Sequence, residues 1–134
     1  MATPQLDIHR ERVTFKNDGN TLVAYIYKPP GAGPFPAVLW NHGSEEKPKP
    51  DGEFQTIAET VVPAGYVLFA PMRRGQGESE GPYISDVVDK FRQNHPLDEV
   101  QKLIVQLLSG PQLEDQLAGL QHLKKLHYVN PLKL

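Results

Sequence analysis

The chain has 134 residues, 14 basic and 16 acidic side chains and a formal net charge of −2. That length suits one compact domain, and the near-balance leaves no electrostatic footprint for nucleic acid or anionic lipid. There is no cysteine, which excludes disulfides, thiolate metal sites and thiol nucleophiles. No apolar run approaches a membrane span. The polar start, Met1 to Arg12, carries no apolar signal core, so a cytoplasmic protein without membrane or nucleic-acid partners is expected.

In chain order, Arg12–Lys16 and Thr21–Lys28 read as two β-strands, dense in β-branched and aromatic residues. Asn17-Asp18-Gly19-Asn20 between them supplies the positive-φ positions of a tight turn, predicting an antiparallel hairpin. Pro29 to Pro36 is a rigid connection that cannot be helix or central strand. It leads to Ala37-Val38-Leu39-Trp40-Asn41, read as a fully buried strand, which ends abruptly in His42-Gly43-Ser44. Open α/β sheets build their sites at such carboxyl ends. Gly43 lets another group approach the main chain, and the Ser44 N–H can donate to an anion. Glu45 to Gly52 reads as a charged, solvated loop at the rim.

Glu53 to Ala64 is predicted helical, with Phe54, Ile57, Ala58 and Val61 on one face. The apolar strand Tyr66–Pro71 follows, completing a βαβ unit with a parallel pair. Met72 to Tyr83, rich in glycine, is a loop. Ile84 to Leu108 reads as a helix in two pieces broken at Asn94-His95-Pro96, and Ser109-Gly110-Pro111 is expected to stop it. Leu113 to Leu126 reads as an amphipathic helix with Leu113, Leu117, Leu120 and Leu123 on its apolar face. Tyr128 to Pro131 is a turn, and Leu132-Lys133-Leu134 reads as the start of a strand.

The order hairpin, apolar strand, His-Gly-Ser, helix, apolar strand, Arg-Arg-Gly-Gln-Gly-Glu-Ser, helix resembles the amino-terminal half of α/β-hydrolases. It is nearest the dienelactone hydrolase and prolyl-oligopeptidase-like branches, over about Val13 to Leu134. The resemblance implies an α/β fold with an incomplete hydrolase-type sheet: an antiparallel hairpin, then parallel βαβ strands with flanking helices. Residues 1–134 would be a single partial domain, with 84–111 a helical insertion before the last helix. It implies that Ser44 donates a backbone N–H to an oxyanion hole. His42, Gly43, Arg74, Gly75, Gly77 and Ser79 would shape the site. The nucleophile elbow belongs on the strand after the Leu113–Leu126 helix, so no catalytic nucleophile, acid or histidine is expected in these residues.

Gly77-Glu78-Ser79-Glu80-Gly81 matches the G-x-S-x-G pattern. However, no strand ends directly before it, no helix starts directly after it, and two glutamates disfavour an alkoxide. Ser79 is therefore read as structural, and His42 as a buried hydrogen-bonding residue rather than a base. His9 and His95 read as loop or terminal residues. His122 and His127, five apart, do not share a helix face, so no metal is expected. Gly75-x-Gly77 beside Arg73 and Arg74 lacks the helix start of a phosphate cradle, and no cofactor is expected.

The leading functional expectation is the amino-terminal fragment of a serine-type hydrolase acting on an ester or peptide bond, inactive alone. The alternative is a split-enzyme or assembly subunit that pairs with a chain carrying the nucleophile elbow. An open edge along Val38-Leu39-Trp40 would favour self-association or such pairing, with Trp40 emitting at long wavelength. A self-contained enzyme using Ser79 is the third reading.

Overall fold

The computed structural model describes residues 8–43 and 46–134. Ser44, Glu45 and the first seven residues lie outside the described residues.

The chain builds a four-stranded mixed sheet flanked by helices, which is the incomplete α/β-hydrolase-like architecture expected. β1 (His9–Asn17) and β2 (Asn20–Lys28) form an antiparallel hairpin. Its turn is Asp18-Gly19, with φ of 51° and 77°, the pair of positive values that a two-residue turn between right-twisted strands demands. β2 also pairs antiparallel with β4 (Val67–Pro71), and β4 pairs parallel with β3 (Ala37–Leu39), giving the order β1-β2-β4-β3. β4 is buried along its length, as its unbroken apolar sequence requires.

β3 departs from the expectation of a fully buried five-residue strand. It is three residues long, and Val38 and Leu39 are only partly buried. The reason is its place at the sheet edge. The N–H of Trp40 bonds to Phe69 O on β4 at 2.9 Å, so alternation turns the backbone groups of Leu39 toward the open side. Among the described residues that side is met only at its start: Phe35 bridges Val129, and the N–H of Ala37 reaches Lys133 O at 2.9 Å. Leu132-Lys133-Leu134 forms this single ladder-like bond without being a strand. Trp40 is not splayed into solvent. It is partly buried against the second of the two cores, with its indole nitrogen covered. Its side chain lies on the sheet face covered by Phe54, Ala58 and Val62, and the open part of β3 is its backbone edge.

The sheet separates two cores. On one face Val23, Tyr27, Leu68, Ala70 and Met72 pack against Phe54, Ala58 and Val62. The helix there is a π turn, Pro50–Phe54, followed by α1 (Gln55–Val61). Residues 50–52 are thus helical, not loop, because proline at a first helical position lacks only an N–H that would be unpaired anyway. On the other face Leu22, Ala24, Ile26, Val67 and Phe69 pack against Leu123, Tyr128 and Val129.

α2 (Ile84–Arg92) and α3 (Leu97–Leu107) are the two expected pieces. The expected stop at Ser109-Gly110-Pro111 does not occur. A π turn, Leu108–Gln112, carries α3 directly into α4 (Leu113–Lys124). The wider turn tolerates the missing proline N–H, and Ser109 Oγ donates to Val105 O at 2.6 Å. The buried face of α4 also differs from the leucine stripe. Asp115, Gln116, Gly119 and Leu123 are buried, whereas Leu113 and Leu117 are half-exposed. Gly119 lets the helix touch the sheet: a Cβ there would lie 3.3 Å from Phe15, Phe69 and Pro71. Leu113, Leu117 and Leu120 instead line a groove of about 420 Å³ along the open edge of β3, with Ala37, Leu39 and Leu134.

Candidate functional site

The site is built where β3 and β4 end side by side. His42 is buried. Its Nδ1 lies 2.7 Å from Gly43 O, and its Nε2 accepts the N–H of Arg73 at 3.1 Å. With Nε2 accepting, the proton sits on Nδ1 and is donated to the carbonyl. Burial pushes the His42 pKa down to about 4, helped by the nearby Arg73 charge and opposed by the Gly43 bond. A neutral ring with both nitrogens engaged ties the β3 loop to the β4 loop and leaves no nitrogen to act as a base.

Gly43 O is the focus of this cluster. Besides His42 it accepts Arg73 Nη2 at 3.0 Å, with Gln76 Nε2 at 3.5 Å. Arg73 Nε also donates to Gln76 Oε1 at 3.3 Å. Arg73 forms no ion pair among the described residues, and burial pulls its pKa below the usual arginine value. Ser44 itself lies outside the described residues.

Arg74 turns the other way. Its N–H and Nε donate to Asp115 Oδ2, both at 2.9 Å, its Nη2 donates to Asp115 Oδ1 at 2.8 Å, and its Nη1 reaches Asp18 at 3.0 Å. Asn17 Nδ2 adds a further bond to Asp115 at 2.8 Å. The hydrogen bonds to Asp115 raise the Arg74 pKa further. Gly75 and Gly77 have φ of 73° and 56°, and a Cβ on either would meet a neighbour at 2.3 Å. Ser79 is buried, donating Oγ–H to Met72 O at 2.7 Å and accepting Val23 N–H at 2.8 Å. Its flanking glutamates are held by the hairpin: Glu78 accepts Tyr25 O–H at 2.6 Å and Glu80 accepts Thr21 N–H at 2.9 Å. This loop is thus stitched to β2 and α4. His42 and Gly43 are brought together, and Arg73, near the start of the loop, bonds to both.

Reading from sequence missed Gln76, Gln112, Gln116 and Asp115, and it gave Arg73 and Asn41 no role in the site. Gln116 Nε2 donates to Asn41 Oδ1 at 2.8 Å. Two clefts open here. One, of about 300 Å³, lies among Asn41, Arg73, Leu108, Gln112 and Gln116. The other, of about 240 Å³, runs beneath α2 and α3 and shares Arg73, Leu108 and Gln112. One signal was available for Asp115: an acid four residues before Gly119 and eight before Leu123, hence on one helix face with them. Among the described residues no His/Asp/Glu cluster is arranged to hold a metal, and no helix is long and apolar enough to cross a membrane.

No family model matches the chain, and no curated protein does. Solved structures do. The hypothetical protein PA2218 of Pseudomonas aeruginosa aligns over 99% of this chain and 38% of its own, at 22% identity and a TM-score of 0.61. The esterase Est22 aligns over 92% of this chain and 32% of its own, at 13% identity and 0.57. Acetyl xylan esterase 1 of Thermoanaerobacterium sp. JW/SL YS485 aligns over 94% and 42%, at 19% identity and 0.51. The fold is therefore α/β-hydrolase-like. The chain spans 32–42% of the length of these structures.

Proposed function

We propose that this chain supplies the oxyanion side of a serine-type hydrolase site that cleaves an ester or peptide bond. The backbone N–H that follows Gly43 donates to the negative charge developing on the carbonyl oxygen. The nucleophile, its histidine and its acid come from a further segment whose first strand lies parallel to β3. The observation that carries the reading is the grip of His42, Arg73 and Gln76 on Gly43 O. These donors on one carbonyl fix Gly43, at the end of β3, against the loop that follows β4. A donor held in place beforehand is what transition-state stabilisation requires.

The open edge at Leu39 and the groove under Leu113, Leu117 and Leu120 support the incoming strand. The same features support pairing with a separate chain. The esterase neighbours make bond hydrolysis the natural chemistry for this fold, though fold alone does not assign function. The test is hydrolysis of p-nitrophenyl acetate by this chain alone and by the assembly in which a strand pairs with β3. Activity only in the assembly, with slowed amide exchange at Leu39, is expected. Equal turnover by the chain alone overturns the reading.

A further inference from the structure

Two glutamines one turn apart present carbonyl oxygens with no donor. Gln112 is only 4% exposed, and its Oε1 has no hydrogen-bond partner among the described residues. Gln116 spends its Nε2 on Asn41, which leaves its own buried Oε1 unpartnered as well. Both line the cleft at the end of β3, opposite Arg73. A buried acceptor without a donor is destabilising, and such groups in a cleft mark where a ligand completes the network. The π turn Leu108–Gln112 is what brings Gln112 into both clefts, and π turns within helices recur at functional sites. Beyond Gln112, beneath α2 and α3, the wall is mixed: Ile84, Val88, Ile104 and Leu108 give it an apolar strip, beside the polar Ser85, Asp89 and Arg92.

The complementary ligand carries a donor for a glutamine oxygen, an acceptor for the arginine and a short apolar arm. A secondary amide has all three: N–H, C=O and a substituent on each side. An ester lacks the donor, and a carboxylate offers acceptors only. We propose that this cleft is a subsite for a secondary amide, as in a peptide or N-acyl substrate. The amide N–H meets Gln112, which turns its carboxamide about one bond, and its carbonyl meets Arg73. The reading rests on the proposed hydrolase site and names its substrate class: amide-bearing molecules, bound one group away from the bond that is cut.

The experiment is binding, so it does not depend on turnover. The isotopically labelled chain is titrated with N-propylbutanamide, its ester isostere propyl butanoate, and pentanoate, following backbone amide resonances. The amide is expected to shift Gln112, Leu108 and Ile104 at about tenfold lower concentration than the ester, the factor expected for one hydrogen bond. Gln112→Leu is expected to erase that preference, and Gln112→Glu, which keeps an acceptor, to retain it. If Gln112→Leu does not fold, Ile104→Trp fills the apolar arm and is expected to abolish amide binding. Equal binding of amide and ester overturns the proposal, as does tighter binding of pentanoate or amide shifts confined to other residues. Such failure leaves the hydrolase reading standing, and loss of ester turnover in the assembly leaves the amide subsite standing.

Discussion

Arg74 and Asp115 are joined by three hydrogen bonds of 2.8–2.9 Å, with Asp115 fully buried and the arginine nearly so. They lie 41 residues apart and fasten α4 to the loop that follows β4. Because Asp115 is buried, Arg74→Met strands its charge and is expected to cost about 3–5 kcal/mol. The double change Arg74→Met with Asp115→Leu is expected to recover part of that. Urea midpoints of the two variants check both values, and an equal loss in each contradicts the buried-charge explanation.

Ser79 is expected to be structural. Ser79→Ala leaves the Val23 N–H without its acceptor inside the sheet, at a cost of about 1–3 kcal/mol. A serine-directed fluorophosphonate is expected to leave Ser79 unlabelled in the native chain. Stoichiometric labelling there, detected by mass spectrometry, contradicts the assignment.

The glycines of the same loop rank by what surrounds them. A Cβ on Gly75 would lie 2.3 Å from the Pro82 and Tyr83 backbone, and one on Gly77 2.3 Å from the Met72 sulfur. Gly65, also at positive φ, has nothing within 4 Å. Backbone cannot yield, while a methionine tip can. Alanine is therefore expected to destabilise most at Gly75, less at Gly77, and by only about 1 kcal/mol at Gly65. Thermal midpoints of the three variants test this order.

His42 makes the fold acid-sensitive. Its folded pKa, about 4, lies below the ordinary value of 6.5, so the unfolded chain binds the proton more readily between these values. The contribution is complete above about pH 6.5 and is lost as pH falls toward 4. Between pH 7.5 and 4.5 it amounts to about 2–3 kcal/mol. His42→Asn is expected to be less stable at pH 7.5 but to lose less on acidification. A variant with an undiminished acid loss contradicts the assignment. His122, whose pKa burial also lowers, remains in both proteins and cancels.

Much of the fold was legible in the sequence. Asp18-Gly19 announces its hairpin locally, and an unbroken apolar run such as Val67–Ala70 needs cover on both faces. The rest depended on distant partners. No local pattern pairs Arg74 with an acid 41 residues away. Ser109-Gly110-Pro111 carries every local mark of a helix end, yet the π turn absorbs it. Of the apolar stripe of α4, Leu123 reaches the core, whereas the Arg74–Asp115 pair and Gly119 set the helix rotation and turn Leu113, Leu117 and Leu120 to the β3 groove. Of the candidate site, His42 and Gly43 were legible as a motif. Their companions Arg73 and Gln76 were not, because side-chain bonds to one carbonyl leave no periodic trace, and Gln112 reaches the cleft only through the π turn.

The proposed oxyanion donor is tested most directly by kcat on p-nitrophenyl acetate in an assembly that pairs a strand with β3. Ser44→Ala keeps the backbone N–H and is predicted to lower kcat less than about threefold. Ser44→Pro removes it and is predicted to lower kcat about a hundredfold or more, the usual loss for one donor. Small, equal effects of the two substitutions would contradict the account.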